Sequence, residues 1–516
     1  MSKKTKSKHG TAPVIRKCGI NETFQLAMFL LDQYRGTNLS CRYVIPPHLT
    51  SMDARTQLEQ TVKVAVVDTI LRHPMLQVGM IDAATKTPSW IQLQSLDLTR
   101  HIKWLYIGPP YDFEQSVQET FRLQLDDRFE DLPLEQPSWK ITVLRKGDAP
   151  IMEVILSWNH PQFDGMAAKV FHEDFLEMLN NAENGAYERT GLDGDILTLP
   201  QEPPLLPTPI ESLVRLPVDL KQLLKAFRDD VRPDFLNRDV TYASWCPIRG
   251  FPYKTQYRTF DMDNKSLVAL LSLCRQNKTT ITGLINALLL VSYSSHLDGK
   301  AAPAFQSSTV IDHRPNLPPA PPDAPWVRSD RAMANYVTQL PHIYGKSLVA
   351  RIRSKLPTKG GELSDDLVHE VWVVSAQNRQ QIVDKLKVPL RNDIVGIFKY
   401  VTDWQKTMKD MANKKRQFSW LVTNIGVLNG ETSTKPHIAA APPPIGGRGQ
   451  RWSIERAQFG LSAEVFSGAI EFSPVSVTGG GFCVSANWSD SAVDEKFGDS
   501  IVHDLRRWLT QLANQP

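Results

Sequence analysis

A histidine followed by an aspartate four residues later and then by a glycine is the part of this sequence whose residue types could do chemistry. These residues are His160, Asp164 and Gly165. Imidazole accepts a proton near neutral pH, so His160 is a candidate general base for activating a hydroxyl group that attacks an acyl carbon. Asp164 is better suited to a structural clamp, held by an arginine fork or by backbone amides. Gly165 is expected to let the chain bend. Taken alone, a polar histidine beside a common Asp-Gly turn explains the three residues equally well.

The elements that must position this motif can be predicted from the pattern of apolar residues around it. Residues 139–144 and 152–159 are typical of paired strands joined by a turn at residues 146–148, and a helix is predicted from Met166 onward. The histidine is therefore expected at the end of a strand, with the turn and a helix behind it. The same patterns predict helices over residues 21–34, 50–72, 114–128, 279–296 and 492–512, and strands over residues 41–45, 76–81, 89–93, 255–261, 419–424, 451–454, 469–473 and 481–487.

A proline-rich stretch divides the sequence into two halves. Six prolines between residues 199 and 217 remove amide donors and exclude a regular helix or a central strand there. We predict a disordered basic tail over residues 1–15, a first domain over 16–198, a linker region over 199–235 and a second domain over 236–516. Strands and helices mix in each half without strict alternation, which indicates a two-domain α/β (α+β) protein. Residues 315–325 and 442–449 are predicted to be surface loops.

Composition excludes several classes of function. The chain has 516 residues with 41% hydrophobic and 22% charged residues and a net charge of +4, too weak for a nucleic-acid-binding protein of this length. Its five cysteines form no CxxC pair, so neither a zinc site nor a disulfide framework is predicted. No apolar run is long enough to cross a bilayer, and no secretory signal is recognisable. A cytoplasmic location is the expectation. The C-terminal helix could touch a membrane or lipid-droplet surface, but we favour its packing on the second domain.

Other polar and aromatic residues are assigned less specific roles. His172 is expected to face solvent or to cap a helix, and no partner can be named for His101. The tryptophans at positions 139, 158 and 488 are predicted to belong to the core, and residues 479–481 to form a hairpin turn rather than a phosphate-binding loop.

A series of ordered segments, together with the HxxxDG motif, resembles a known superfamily. It contains chloramphenicol acetyltransferase, plant HxxxD acyltransferases and the condensation domains of peptide synthetases, and the chain is most similar to its fungal alcohol O-acetyltransferases. The resemblance extends over roughly residues 15–490. The segments that carry it are residues 16–34 (RKCGINETFQLAMFLLDQY), 73–76, 88–93 and 137–140, Pro203-Pro204-Leu205 with Glu211, residues 279–287, Asp312-His313-Arg314, Asn335-Tyr336 and residues 423–426.

The resemblance implies two tandem chloramphenicol-acetyltransferase-like domains with the active site in a tunnel at their interface. It implies an acyl-CoA-dependent O-acyltransferase, most simply one that moves acetyl from acetyl-CoA to a small alcohol or a fungal secondary metabolite. His160 would be the general base, and transfer would be direct, without a covalent intermediate. Asp164 would turn away from the tunnel and pair with Arg314. Acetyl-CoA would be a co-substrate, with no bound cofactor and no metal, and the protein is expected to be a monomer.

Two departures from the superfamily pattern shape this interpretation. The plant DFGWG segment is absent, which leaves the stabiliser of the oxyanion open; Thr423 and Asn424 are the candidates, although a simple turn fits them as well. Condensation domains usually have His-His where this chain has Asn159-His160, and no carrier-protein domain is attached, which favours a free-standing enzyme that uses CoA. An amine acceptor, a longer acyl chain, and a non-catalytic binding protein of the same fold remain alternatives.

Overall fold

The computed structural model describes residues 13–182, 187–231, 239–319, 330–356, 361–388, 390–431 and 451–515. Lys3, Lys4, Lys6 and Lys8 of the predicted tail lie outside these residues, as do the predicted loop at 442–449 and part of the loop at 315–325. The prediction that the tail reaches residue 15 is wrong, because residues 14 and 15 belong to the first strand, which pairs with the strand that starts at Ser89.

The described residues form helices and strands in both halves, including a single helical turn at Ile210–Leu213, inside the stretch where the prolines were expected to exclude a regular helix. The helices are α1 (Ile20–Leu30), α2 (Arg55–Arg72), α3 (Phe113–Leu125), α4 (Gly165–Ala182), α5 (Ile210–Leu213), α6 (Leu220–Val231), α7 (Asn264–Gln276), α8 (Ile281–His296), α9 (Lys346–Arg353), α10 (Asp365–Lys387), α11 (Ile394–Phe398), α12 (Trp404–Met411) and α13 (Glu495–Ala513). The strands are β1 (Val14–Lys17), β2 (Gly36–Val44), β3 (Val78–Ile81), β4 (Ser89–Gln92), β5 (Ser95–Asp97), β6 (Ile102–Ile107), β7 (Trp139–Lys146), β8 (Ile151–Asn159), β9 (Leu192–Asp193), β10 (Ile196–Thr198), β11 (Thr255–Met262), β12 (Phe305–Asp312), β13 (Val337–Tyr344), β14 (Trp420–Val422), β15 (Val427–Leu428), β16 (Ser453–Leu461), β17 (Ile470–Val477) and β18 (Phe482–Ser489).

The first half is built around a five-stranded sheet with the order β16-β2-β8-β7-β6. β8 is central and pairs antiparallel with both β2 and β7, which explains why it is a nearly unbroken apolar run. The helices α2 and α4 pack together, and α4 also contacts β2. The strand and the helix on either side of His160 are therefore both anchored in the core of this half.

The second half is built around a mixed sheet with the order β11-β18-β17-β14-β12-β13, to which β15 adds beside β17. The apolar helix α8 lies against α7, α9, α10 and α13 and is buried along most of its length. Trp488 and Trp508 are 1% exposed in this core, and Trp139 and Trp158 are fully buried in the other. The tryptophans predicted for the core are thus confirmed.

One strand crosses between the halves. β16 comes from the C-terminal part of the chain, yet it pairs antiparallel with β2 at the edge of the first sheet. Its neighbour β17 returns to the second sheet, where it forms a hairpin with β18 around the predicted turn. Residues 453–461 were predicted to belong to the second domain (236–516), but in the structure they form part of the first sheet.

The C-terminal helix packs on the second half, as we favoured from the sequence. Val493, Ile501, Leu505 and Trp508 are buried in the second core, and α13 contacts α7 and α8. Among the described residues, no helix combines the length and the apolar composition that a bilayer crossing requires.

Candidate active site

The loop from His160 to Asp164 is held rigidly between β8 and α4. Trp158, the penultimate residue of β8, donates its indole N–H to the carbonyl of Phe163 at 2.8 Å and stacks on the Phe163 ring. The Gln162 side chain donates to the carbonyl of Met75 and accepts from the backbone of Ser138. The backbone N–H of Asp164 donates to the carbonyl of Ala334 in the second half. Side chains and backbone thus fix the loop to both halves.

The imidazole of His160 is buried, with 8% of the residue exposed, and lies 5.7 Å from the Tyr34 ring between centroids. The Asn335 side-chain nitrogen lies 3.2 Å from Nδ1 and donates to the backbone carbonyl of His160 at 3.1 Å. Burial lowers the pKa of His160, and the charge of Asp164 and the residue's own carbonyl oppose this shift only partly. The ring is therefore neutral at physiological pH, which is the state that a general base requires.

The Asp164 carboxylate accepts four hydrogen bonds at the N-terminus of α4. Two come from Arg314, whose Nη1 and Nη2 each lie 2.9 Å from a different carboxylate oxygen. The others come from the backbone N–H groups of Ala167 and Tyr336, both at 2.9 Å. Asp164 is thus the N-cap of α4 and the anchor of a bidentate ion pair across the two halves.

Arg314 lies in a short turn after β12 and is almost fully buried. Besides Asp164 it contacts Asp312 at 2.9 Å and the carbonyls of Ala332 and Ala334 at 3.0 Å. Burial lowers the pKa of Arg314, but the charges on Asp164 and Asp312 raise it above its ordinary value. The guanidinium therefore stays charged, and the buried pair has excellent geometry and additional hydrogen bonds.

Gly165 differs from its predicted role. It is the first residue of α4 and does not have a positive φ, so the chain needs no special conformation there. A Cβ at this position would lie 2.8 Å from the Phe459 ring and 3.0 Å from Ile425. The glycine is required because β16 and the segment before β15 approach the start of α4 closely, not because the backbone bends.

A cavity that offers about 140 Å³ to the centres of water-sized molecules lies between the two halves and includes His160 in its wall. Its lining comes from both halves and is mainly apolar, with a few polar groups, as is usual for small-molecule sites. The lining includes Tyr34, His160, Asn335, Thr423, Phe459 and Glu464.

The two oxyanion candidates both line this cavity but differ in their partners. The Thr423 hydroxyl is buried and has no hydrogen-bond partner within the described part of the chain. The side chain of Asn424 donates to Thr282 at 2.9 Å and accepts from the N–H of Gly426 at 2.7 Å. Thr423 therefore has the hydroxyl group that is free to turn toward a ligand, whereas Asn424 closes a turn.

The two other histidines considered from the sequence, His172 and His101, do not line the cavity. The prediction that His172 faces solvent or caps a helix is wrong: it is fully buried and contacts the Tyr43 hydroxyl at 2.9 Å and the Leu39 carbonyl at 3.0 Å. His101 is also buried; its ring lies against Trp139, and Nδ1 contacts the Trp139 carbonyl at 2.8 Å. The contacts of both histidines stabilise the core of the first half. Within the described ranges, no group of three metal-ligating side chains is arranged to hold an ion.

Sequence reasoning did not assign Tyr34, Asn335 or Glu464 to the cavity. Tyr34 and Asn335 fall in segments that carry the resemblance, but neither has a residue type or spacing that indicates chemistry by itself. Glu464 lies in a loop between β16 and β17, and no sequence pattern predicts that this loop returns to the site.

Comparisons with known proteins show a matching family and a similar relative. A family model described as alcohol acetyltransferase matches residues 129–441. The chain is 24% identical over 526 residues to the probable alcohol acetyltransferase FCK4 of Fusarium pseudograminearum, covering 99% of this chain and 98% of that protein.

Solved structures with this fold include an acetyltransferase and a condensation domain. The trichothecene 15-O-acetyltransferase TRI3 of Fusarium sporotrichioides superimposes with a TM-score of 0.66 at 13% identity, over 99% of this chain and 97% of that chain. The first condensation domain of the CDA synthetase gives a TM-score of 0.55 at 12% identity, over 98% of both chains. The two-domain chloramphenicol-acetyltransferase-like fold expected from the sequence is thereby confirmed.

Proposed function

The chain belongs to the alcohol acetyltransferase family, and from that premise we propose that it transfers acetyl from acetyl-CoA directly to an alcohol, with His160 as the general base. The observation that carries this proposal is the buried, neutral imidazole of His160 in the wall of a cavity that both halves line. An alcohol and a thioester that meet in this cavity need a base and an oxyanion stabiliser, but no further group.

The proposed reaction has two proton transfers at one nitrogen. His160 Nε2 removes the proton from the acceptor hydroxyl as its oxygen attacks the thioester carbonyl carbon. The tetrahedral intermediate then collapses, the carbon–sulfur bond breaks, and Nε2 returns the proton to the CoA thiolate. The products are the acetate ester and CoA with a free thiol, so neither a redox change nor a covalent enzyme intermediate is required.

Asn335 positions the backbone carbonyl of His160 and does not select the ring tautomer, because its side-chain nitrogen, 3.2 Å from Nδ1, can donate to Nδ1 only when Nδ1 carries no proton. Nε2 can accept a proton only if Nδ1 carries the other one, and the His160 carbonyl lies within reach of Nδ1–H. Asn335 donates to the same carbonyl and holds it beside the ring. We assign Asn335 as a positioning residue, since it acts through His160.

Thr423 is the proposed oxyanion stabiliser. Its buried hydroxyl lacks a partner within the described residues and lines the cavity that contains His160. A buried donor of this kind is costly in the free protein and becomes useful when negative charge develops on the carbonyl oxygen. Thr423→Val keeps the shape of the side chain, and we expect it to lower kcat about 10²-fold.

The test of the proposal is acetyl transfer measured by release of the CoA thiol. Wild-type protein is incubated with acetyl-CoA and a panel of alcohols and amines, and products are identified by mass spectrometry. We expect esters, and loss of at least about 10²-fold in kcat for His160→Ala. His48→Ala is the matched control, because His48 is exposed and lies outside the cavity. Equal rates for His160→Ala and the wild type would refute the role of His160, and amides as the main products would refute the alcohol as acceptor.

A further inference from the structure

A pair of glutamates, Glu464 and Glu471, lies at one side of the cavity and is not used by the proposed chemistry. Glu464 belongs to the loop between β16 and β17 and lines the same cavity as His160. Glu471 is the second residue of β17, and only 2% of it is exposed. A carboxyl group as buried as that of Glu471, next to the partly exposed Glu464, is costly to maintain, so the presence of this pair beside a substrate cavity needs an explanation.

The loop that carries Glu464 is fixed by backbone hydrogen bonds to the first half. Ser462 N–H donates to the Gly36 carbonyl and Val465 N–H to the Gln33 carbonyl, both at 3.0 Å. The Tyr253 hydroxyl donates to the carbonyl of Ala463 at 2.7 Å. Glu464 is therefore presented to the cavity by a rigid support, as a recognition residue must be.

The hydrogen bonding around the pair is incomplete. One oxygen of Glu471 accepts from the Asn487 side chain at 3.0 Å, while Oε1 is buried without a partner among the described residues. The Ser467 hydroxyl lies close to both carboxyls and is likewise buried without a hydrogen bond of standard geometry in that part of the chain. These atoms can therefore form further hydrogen bonds close to the part of the cavity wall that Glu464 forms.

The charges that face the pair nearly balance. The Arg416 guanidinium, 2% exposed, donates to the carbonyls of Ser467 at 2.8 Å and Gly468 at 3.4 Å in the same loop. Tyr34 approaches from the first half and is buried. Burial raises the pKa of both glutamates, and the charge of Glu464 raises that of Glu471 further. The pair therefore retains a proton to higher pH than exposed glutamates do, and beside Arg416 it presents little net charge.

We propose that Glu464, supported by Glu471, selects the acceptor by hydrogen-bonding a second oxygen of a polyfunctional alcohol while the reacting hydroxyl meets His160. A proton-holding carboxyl can donate to and accept from a neutral hydroxyl or carbonyl group. A monofunctional alkanol leaves this group without its partner, and a site built to hydrogen-bond a substrate discriminates against such analogues. This inference rests on the proposed function.

The first experiment compares acceptors that share a carbon skeleton. Monoalcohols and diols, with hydroxyl groups separated by three to eight carbons, are each tested with acetyl-CoA, and kcat/KM is measured for the wild type and for Glu464→Leu. We expect the wild type to prefer at least one diol by about tenfold or more, and Glu464→Leu to lower kcat/KM for that diol about tenfold more than for the matching monoalcohol. Glu455→Leu, at an exposed glutamate of β16, is the control.

Two results separate the inference from the function on which it rests. If the wild type acetylates alcohols but shows no diol preference, or if Glu464→Leu lowers both rates equally, the role of Glu464 is refuted and the proposed function stands. If the wild type acetylates no alcohol at all, the proposed function fails and the inference fails with it.

A second experiment tests the proton-holding pair without any acceptor. A carboxyl whose pKa is raised in the folded state lowers stability as pH rises from the unfolded pKa through the folded one, because the folded protein then holds more protons than the unfolded chain. Glu464→Gln should therefore raise the melting temperature more at pH 8.5 than at pH 5.5, while Glu455→Gln should leave the wild-type pH dependence unchanged. An equal shift at both pH values for Glu464→Gln would refute the shared proton.

Discussion

At the scale of single residues, the Asp164 carboxylate is surrounded by four donors. This environment determines how a substitution of Asp164 affects the stability of the protein. Asp164→Asn removes the charge opposite the buried Arg314 and turns an amide N–H toward groups that are themselves donors. Breaking a buried pair by removing one partner costs about 3–5 kcal/mol. We therefore expect this loss in the free energy of unfolding, measured with urea, and a smaller effect on the rate per folded molecule.

An exposed ion pair provides the control for this prediction. Asp499 contacts Arg258 at 2.7 Å, with side chains that are 47% and 31% exposed. Such pairs contribute about 0–1 kcal/mol, so Asp499→Asn should change the free energy of unfolding by no more than that. A stable Asp164→Asn protein with an altered pH–rate profile would show that Asp164 tunes His160 instead of holding the fold.

The pH dependence of the reaction follows from the environment of His160. Burial lowers the pKa of the imidazole below 6.5, and the base works only when it is unprotonated. The value of kcat/KM should thus be flat between pH 7 and 8 and fall about tenfold per pH unit below an inflection under pH 6.5. An inflection above 6.5, measured with a monoalcohol acceptor, would contradict a desolvated base at this position.

The roles of residues could be predicted from the sequence where they depend on local pattern. His160 follows an apolar strand and Asp164 precedes an amphipathic helix. The elements on either side of these residues can therefore be predicted from about twenty residues of local sequence. The partnership of Asp164 with Arg314 joins positions 150 residues apart, and the resemblance, not any spacing, pointed to it. Glu464 carries no local signal, because its loop reaches the cavity through the crossing of β16.

At the scale of elements, the start of α4 lies against β16 without room for a side chain. Gly165→Ala would place a Cβ 2.8 Å from the Phe459 ring, and the rigid ring and strand can shift only at a cost. We expect a loss of about 1–3 kcal/mol in the free energy of unfolding, together with reduced acetyl transfer, since α4 carries the loop with His160. Both quantities can be measured on one preparation.

The cause of this loss can be checked by a compensating change. Phe459→Leu removes part of the ring that the new methyl group meets, so the double variant Gly165→Ala with Phe459→Leu should lose less stability than the sum of the single variants. Gly108→Ala is the control, because a Cβ at Gly108 meets no atom within 4 Å. If the losses in the free energy of unfolding of the two single variants simply add in the double variant, the contact with Phe459 is not what requires a glycine at position 165.

Some elements lie close to their predicted ranges, whether their apolar residues recur periodically or form a nearly unbroken run, and others were not predicted. The helices α2, α8 and α13 and the strands β7 and β8 lie within a few residues of the predicted ranges. The long helix α10 and the strands β12 and β13 were not predicted. In α10 the buried positions are spaced among many charged residues, and in β13 buried and partly exposed positions mix without clean alternation. The packing of α10 against α8 and the pairing of β13 with β12 determine the structure of these segments more than their own residue patterns do.

At the scale of the whole molecule, β16 makes the two halves one structure. It completes the first sheet beside β2 while its neighbours in sequence belong to the second half. Arg331 adds an ion pair from the second half to Glu173 and Asp174 on α4. Unfolding the second half must therefore remove an edge strand and an ion-pair partner from the first, and the two halves should lose structure together.

Truncation of a tryptophan far from the interface tests this coupling. Trp508 on α13 is 1% exposed in the second core, and Trp508→Ala should lower the free energy of unfolding by about 3–5 kcal/mol. If the halves unfold as one unit, amide hydrogen exchange of β8 in the first half should accelerate by the same factor as that of α8 in the second. Phe251→Ala is the control, since Phe251 is 88% exposed. Acceleration confined to the second half would mean that β16 can leave the first sheet without unfolding it, and that the cavity wall containing Glu464 can open independently of His160.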